Sequence, residues 1–181
     1  RQRVFVTIRI LPPPTGDNVQ VLCSTPPPTV ADFIVNGTNV IWYLSSTSGV
    51  EISPSTLLIE GQTYYAASTD QFCESNTRLD VSVIFQDPNN PGASGTRRIC
   101  VSDIPTTPPF NLFNELSGTP DSTGTWTGPL PTSNGNLGTV DVSSLTLAGS
   151  PYVFTYNVTA SVCSPASSTV TIVVLPLPDA T

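Results

Sequence analysis

The chain has 181 residues, of which 38% are hydrophobic and only 10% charged, with a net charge of −7 and neither lysine nor histidine. An acidic, lysine-free surface excludes nucleic acid and anionic membranes as partners, because both need basic patches and the six arginines form none. Nineteen prolines exclude long helices, and no apolar run of 18 residues offers a direct membrane insertion.

In chain order, the first element is Arg3 to Leu11, an alternating β-branched segment that runs into Pro12-Pro13-Pro14. Proline cannot donate into a sheet ladder, so it ends the strand. The same construction returns twice, with Arg78 to Phe85 running into Gln86-Asp87-Pro88 and Ser168 to Leu175 running into Pro176-Leu177-Pro178. Leu11 and Phe85 are 74 residues apart and Phe85 and Leu175 are 90 apart, periods that suit small sandwich domains and exceed solenoid repeats. The chain therefore reads as residues 1–11, the closing strand of a preceding module, then module one over 12–86 and module two over 96–175. Residues 87–95, rich in Pro, Asn and Gly, read as a linker, and 176–181 as a linker to a following module. The first strand lacks a module of its own, so Val4 to Leu11 is expected to pair with another chain.

Within module one, strands are predicted at Val19–Leu22, Thr29–Val35, Val40–Leu44, Thr56–Ile59, Thr63–Ala67 and Leu79–Phe85, with Asn36-Gly37 and Glu60-Gly61 as turns. Within module two they fall at Arg98–Val101, Gly124–Thr127, Leu137–Asp141, Tyr152–Val158 and Thr169–Leu175. Phe110 to Leu116 spans barely two helical turns and reads as a strand or a single turn. The fold class is all-β, two tandem Ig-like antiparallel sandwiches.

Each module carries cysteine, tryptophan, tyrosine and cysteine in that order. These are Cys23, Trp42, Tyr64/Tyr65 and Cys73, then Cys100, Trp126, Tyr156 and Cys163. The order fits disulfides Cys23–Cys73 and Cys100–Cys163, although four cysteines allow three pairings. Closing a loop of that size would add roughly 4 kcal/mol by restricting the unfolded chain, and would imply an oxidising compartment. Trp42, Tyr65, Trp126 and Tyr156 are expected in the cores. The tyrosines lie seven or eight residues before the second cysteine, against two in antibody-type domains, so the modules are Ig-like in architecture only.

At these residues the chain resembles a known family. Leu22-Cys23-Ser24, Thr29-Val30-Ala31-Asp32, Asn36 to Tyr43, Gly61 to Ala66, Cys73-Glu74-Ser75 and Arg78 to Val81 are similar to Ig-like repeats of giant Bacteroidota surface proteins, the type IX-secreted, SprB-like gliding-motility adhesins. Phe110 to Phe113, Gly118 to Asp121, Gly124-Thr125-Trp126 and Leu137-Gly138-Thr139 resemble a sister repeat. The resemblance implies a stalk of a cell-surface adhesin, extracellular on a bacterium, whose partners are neighbouring modules or other copies. It carries over no catalytic or ligand residues.

Enzyme chemistry finds no footing in the sequence. Serine activation lacks its usual histidine or lysine partner, and the carboxylates are spread singly over turns. No CxxC pair supports zinc, and no cofactor is expected. Calcium could stiffen module ends at Asp17, Asp87, Asp103, Asp121 and Asp179, although no DxDxDG-like cluster is present. Asp121-Ser122-Thr123 resembles an acidic-Ser/Thr O-glycosylation site, with Ser122 as the acceptor. The expected function is a structural repeat segment of a long extracellular adhesin or filament. The alternative is a module that binds surface glycans through aromatic or loop residues.

Overall fold

A computed structural model describes residues 10–70, 72–159 and 162–177. The expected strand over residues 1–11 and its pairing fall almost wholly outside them, and Ile10 and Leu11 are not part of any strand. The chain divides into two compact units between Asp87 and Pro88.

Unit one contains β1 (Thr15–Gly16), β2 (Val19–Cys23), β3 (Val35–Asn36), β4 (Ile41–Tyr43), β5 (Thr63–Ala67) and β6 (Leu79–Gln86). Its main sheet has the order β2-β6-β5-β4, so the proline-terminated strand β6 is an inner strand. The ladder between β2 and β6 is parallel, from Val19 opposite Ser82 to Cys23 opposite Gln86. The others are antiparallel. The opposing layer is irregular. It consists of the β1–β3 ladder and a stretch in which the Val30 and Ala31 amides donate to the Thr56 and Pro54 carbonyls.

The strand expected over Thr29–Val35 is instead a 3₁₀ turn at Val30–Asp32 followed by the two-residue β3. The physical reason is local. The Asp32 carboxylate accepts the Thr29 amide at 2.6 Å while the Asp32 amide donates to the Thr29 carbonyl at 3.0 Å, a reciprocal cap that curls the chain. Thr56–Ile59, also expected as a strand, contributes a single bridge from Leu57 to Thr29.

Unit two contains β7 (Gly95–Cys100), β8 (Phe110–Asn111), β9 (Thr125–Thr127), β10 (Thr139–Val140), β11 (Tyr152–Val158) and β12 (Ala166–Leu175). Its main sheet, β7-β12-β11-β9, repeats the order and the parallel first pairing of unit one. Phe110 to Glu115 forms β8 and then a 3₁₀ turn. The expected linker over 87–95 is mostly part of this unit. Asn90 bonds to Asp121 and Thr119, Ala93 bridges Ser117, and Gly95 begins β7.

Each unit buries one core against its main sheet. In unit one Val30, Phe33, Trp42, Leu58, Tyr64, Ala66, Val81 and Val83 pack together. Phe33 lies between Trp42, stacked at 4.7 Å, and Tyr64 at 5.5 Å. In unit two Trp126 packs on Tyr156 at 4.9 Å, and Phe113 meets that tyrosine edge-on at 5.5 Å. Gly138 sits at φ +59° against the Trp126 ring, where a side chain would need both a left-handed backbone and room the indole occupies.

Candidate functional site

The tryptophans occupy matching positions, on β4 and β9, and both are buried. Trp126 donates its indole N–H to the Asn136 carbonyl at 2.8 Å, which satisfies its polar end. Tyr156, wholly buried, donates to the Asp121 carbonyl at 2.6 Å and accepts the Gly124 amide at 3.0 Å. Burial raises its phenol pKa above the ordinary 10.0. Tyr64 does similar work in unit one, where its hydroxyl accepts the Ile59 amide at 3.0 Å. This hydroxyl-to-upstream-backbone tie is a hallmark of Ig-like sandwiches.

Tyr65, expected in the core, faces outward and is half-buried, while Tyr64 is the core residue. The reason is parity: β5 alternates, and Tyr64 and Ala66 take the inner face with Val81 and Val83 of β6.

The expected disulfides are also corrected. Cys73 and Cys100 are free thiols, while Cys23 and Cys163 are disulfide-bonded. The sheet register explains why neither expected pair forms. Cys23 lies opposite Gln86, the last residue of β6, and Cys73 lies in the loop before Leu79, its first. Seven strand steps at about 3.3 Å place them on the order of 20 Å apart, against a bridging limit near 7 Å. Cys100 lies opposite Leu175, the end of β12, and Cys163 precedes Ala166, its start, a separation of roughly 30 Å by the same spacing.

The best-organised polar cluster among the described residues lies on the outer face of unit one. Arg78 stacks over the Tyr43 ring at 3.3 Å and donates to the Ser45 carbonyl at 2.7 Å and the Ser48 carbonyl at 3.2 Å. It also holds Glu74 Oε1 through two N–H groups at 3.0 and 3.2 Å. Tyr43 donates to Glu74 Oε2 at 2.9 Å. Burial, then the Glu74 bond, pushes the Tyr43 phenol above its ordinary value of 10.0. Every group in this cluster is satisfied by another, so it acts as a clasp between loops and presents nothing to a substrate. Sequence reasoning passed over it because its members are far apart along the chain. In unit two Arg97 meets Glu115 at 2.6 Å and covers Phe110 at 3.9 Å.

The remaining candidates are scattered. Ser122 is exposed in a turn. Asp121 accepts the Asn90 amide at 2.8 Å, Asp103 accepts the Ser102 hydroxyl at 3.0 Å, and Asp179 is outside the described residues. No group of three His, Cys, Asp or Glu residues gathers among the described residues, and among them no helix is long and apolar enough to cross a membrane. A shallow depression lined by Leu22, Cys23, Thr25, Asp32 and the Pro26-Pro27-Pro28 run opens at one end of unit one, with an apolar lining.

Together these features define the class: an all-β chain of two Ig-like sandwich units of one build. Compared with known proteins, it matches no family model and no curated protein. Among solved structures it is similar to human mucin-like protocadherin EC1-2 at 12% identity and a TM-score of 0.36, covering 90% of this chain and 98% of that one. It is also similar to the I-band fragment I67–I69 of titin at 14% identity and a TM-score of 0.33, covering 78% and 58%. A third is mouse protocadherin-24 EC1-3 at 13% identity and a TM-score of 0.28, covering 91% and 64%.

Proposed function

We propose that the chain is a structural stalk segment of a long extracellular array, built to carry tension, and that it is not an enzyme. One observation carries the reading: in each unit the first strand of the main sheet pairs in parallel with the last. The two ladders run from Val19 opposite Ser82 to Cys23 opposite Gln86, and from Gly95 opposite Val170 to Cys100 opposite Leu175. A pull that enters at the start of the first strand and leaves at the end of the last loads such a ladder lengthwise. Its hydrogen bonds are then sheared together, where a hairpin pulled at its open end would unzip one bond at a time. The resemblance to Bacteroidota repeats supports placing the array on a bacterial surface, where Ser122 is available to an O-glycan and neighbouring modules or surface glycans are the partners.

Single-molecule stretching of the chain in dithiothreitol, with its disulfide reduced so that no covalent bridge bypasses the ladders, tests this. It is expected to give two force peaks, each releasing a contour length of roughly 25–30 nm at about 3.4 Å per residue. Ser24 and Val101 donate to the Gln86 and Leu175 carbonyls at 2.9 Å, so Ser24→Pro and Val101→Pro each remove one ladder bond. Each is expected to lower one peak. Extension without peaks, or peaks indifferent to both prolines, overturns the reading.

A further inference from the structure

The four cysteines occupy two positions of one build. Cys23 and Cys100 each end the first strand of a main sheet, opposite the last residue of its longest strand. Cys73 and Cys163 each sit in the loop that leads into that longest strand. Every unit therefore carries one cysteine at each end, and the two are too far apart to bond to each other.

Their oxidation states divide across these positions. At the strand-end position Cys23 is disulfide-bonded and Cys100 is free. At the loop position Cys163 is disulfide-bonded and Cys73 is free. Each free thiol thus sits in the part of the fold where a counterpart is already bonded: Cys100 matches Cys23 in register, and Cys73 shares with Cys163 the loop before the longest strand, where Cys73 is exposed and Cys163 buried. The loop position has a further shared feature. An exposed apolar residue precedes each cysteine, Phe72 at 82% exposure and Val162 at 42%. Asp70 accepts the Phe72 and Cys73 amides at 2.9 and 2.8 Å, which fixes the loop that displays both side chains. An exposed phenylalanine beside an exposed thiol fits an apolar contact that would seat before the covalent bond closes.

We propose that Cys73 and Cys100 are halves of end-to-end disulfides with further modules of the same build. Cys100 bonds to a loop-position cysteine of the next module, and Cys73 to a strand-end cysteine of the one before. A second copy of this chain supplies both kinds of partner, so copies join head to tail as Cys73 to Cys100. In the chemistry, one thiolate attacks a donor disulfide, either a small-molecule disulfide or that of an oxidoreductase, and forms a mixed disulfide. The partner thiolate then displaces the donor sulfur. Two thiols lose two protons and two electrons, and the donor disulfide takes them up as two thiols.

This inference rests on the array reading, and the test keeps the two apart. The intact chain is incubated in a glutathione redox buffer, quenched by alkylation and mapped by mass spectrometry without reduction. The expected result is a ladder of linked species, collapsed by dithiothreitol, whose dominant new cross-link joins Cys73 to Cys100. Cys73→Ser and Cys100→Ser should each remove the ladder without moving the thermal unfolding of the chain. Like-with-like links as abundant as Cys73–Cys100, glutathione adducts alone, or thiols that remain fully alkylatable overturn the proposal. If the two stretching peaks persist in that case, the stalk reading stands without it.

Discussion

The two units share a topology and differ in what holds it. Among the described residues, unit two gathers fourteen buried residues into its core and unit one eight. Among the same residues unit one also leaves Ile34, Val50, Ile59 and Phe72 more than 60% exposed, while in unit two only Leu177, at 60%, passes half exposure among the large apolar side chains. Burial stabilises by about 25 cal/mol per Å² of apolar surface, so unit two has the larger reserve. Unit one compensates with the Arg78 clasp, which ties the 45–48 turn and the 69–78 loop to its outer face. One fold is thus reached by two balances of force, a larger apolar core with a slighter polar brace and a smaller core braced by a denser polar cluster.

The largest expected effect tests the cores. Trp126→Ala removes a ring that touches Tyr156 and leaves the Asn136 carbonyl without its donor, and Trp42→Ala removes the partner of Phe33. Each should cost about 3–5 kcal/mol. Hydrogen exchange read peptide by peptide along a urea series would assign each loss to its unit. Unit one, with the smaller reserve, should unfold in the Trp42 variant at lower urea than unit two does in the Trp126 variant. The reverse order would break the comparison.

How far the sequence carried these features depends on the range of the forces behind them. The strands β5, β6, β11 and β12 were legible because alternation is local and β-branched and aromatic residues recur along them. The 3₁₀ turn at Val30–Asp32 was not, since a reciprocal cap between Thr29 and Asp32 outweighed the β-propensity of the residues it encloses. Alternation also left open which of Tyr64 and Tyr65 turns inward, because only the pairing of β5 with β6 fixes the face. The cysteines failed for a related reason. Their order along the chain is blind to the end of a strand at which each one falls, and the register of β6 and β12 decides that.

A smaller effect sharpens the contrast between the clasp and its counterpart. The Arg78 side chain is only 9% exposed and meets Glu74, two carbonyls and an aromatic face. Arg97, at 37% exposed, has Glu115 and the Phe110 ring. Arg78→Ala should cost unit one about 2 kcal/mol, part of the Glu74 contribution being screened by solvent. Arg97→Ala should cost unit two less than about 1 kcal/mol. Equal losses would show that the clasp does not brace unit one.

The smallest effect concerns pH and Tyr43. Burial first, then the hydrogen bond and charge of Glu74, raise its phenol pKa above 10.0, with Arg78 opposing. A group whose folded pKa is raised gives a contribution that is whole below its unfolded value and is lost as pH climbs through the folded one. Unit one should therefore hold its urea midpoint up to about pH 10 and lose stability above it, as the unfolded chain releases the proton more readily. Tyr43→Phe leaves nothing to ionise at that position. At neutral pH it should cost about 1 kcal/mol, because Glu74 loses a donor, but its midpoint should fall less steeply above pH 10 than the parent's. Parallel curves for parent and variant would mean that the alkaline loss comes from elsewhere. The clasp would then brace unit one through Arg78 alone.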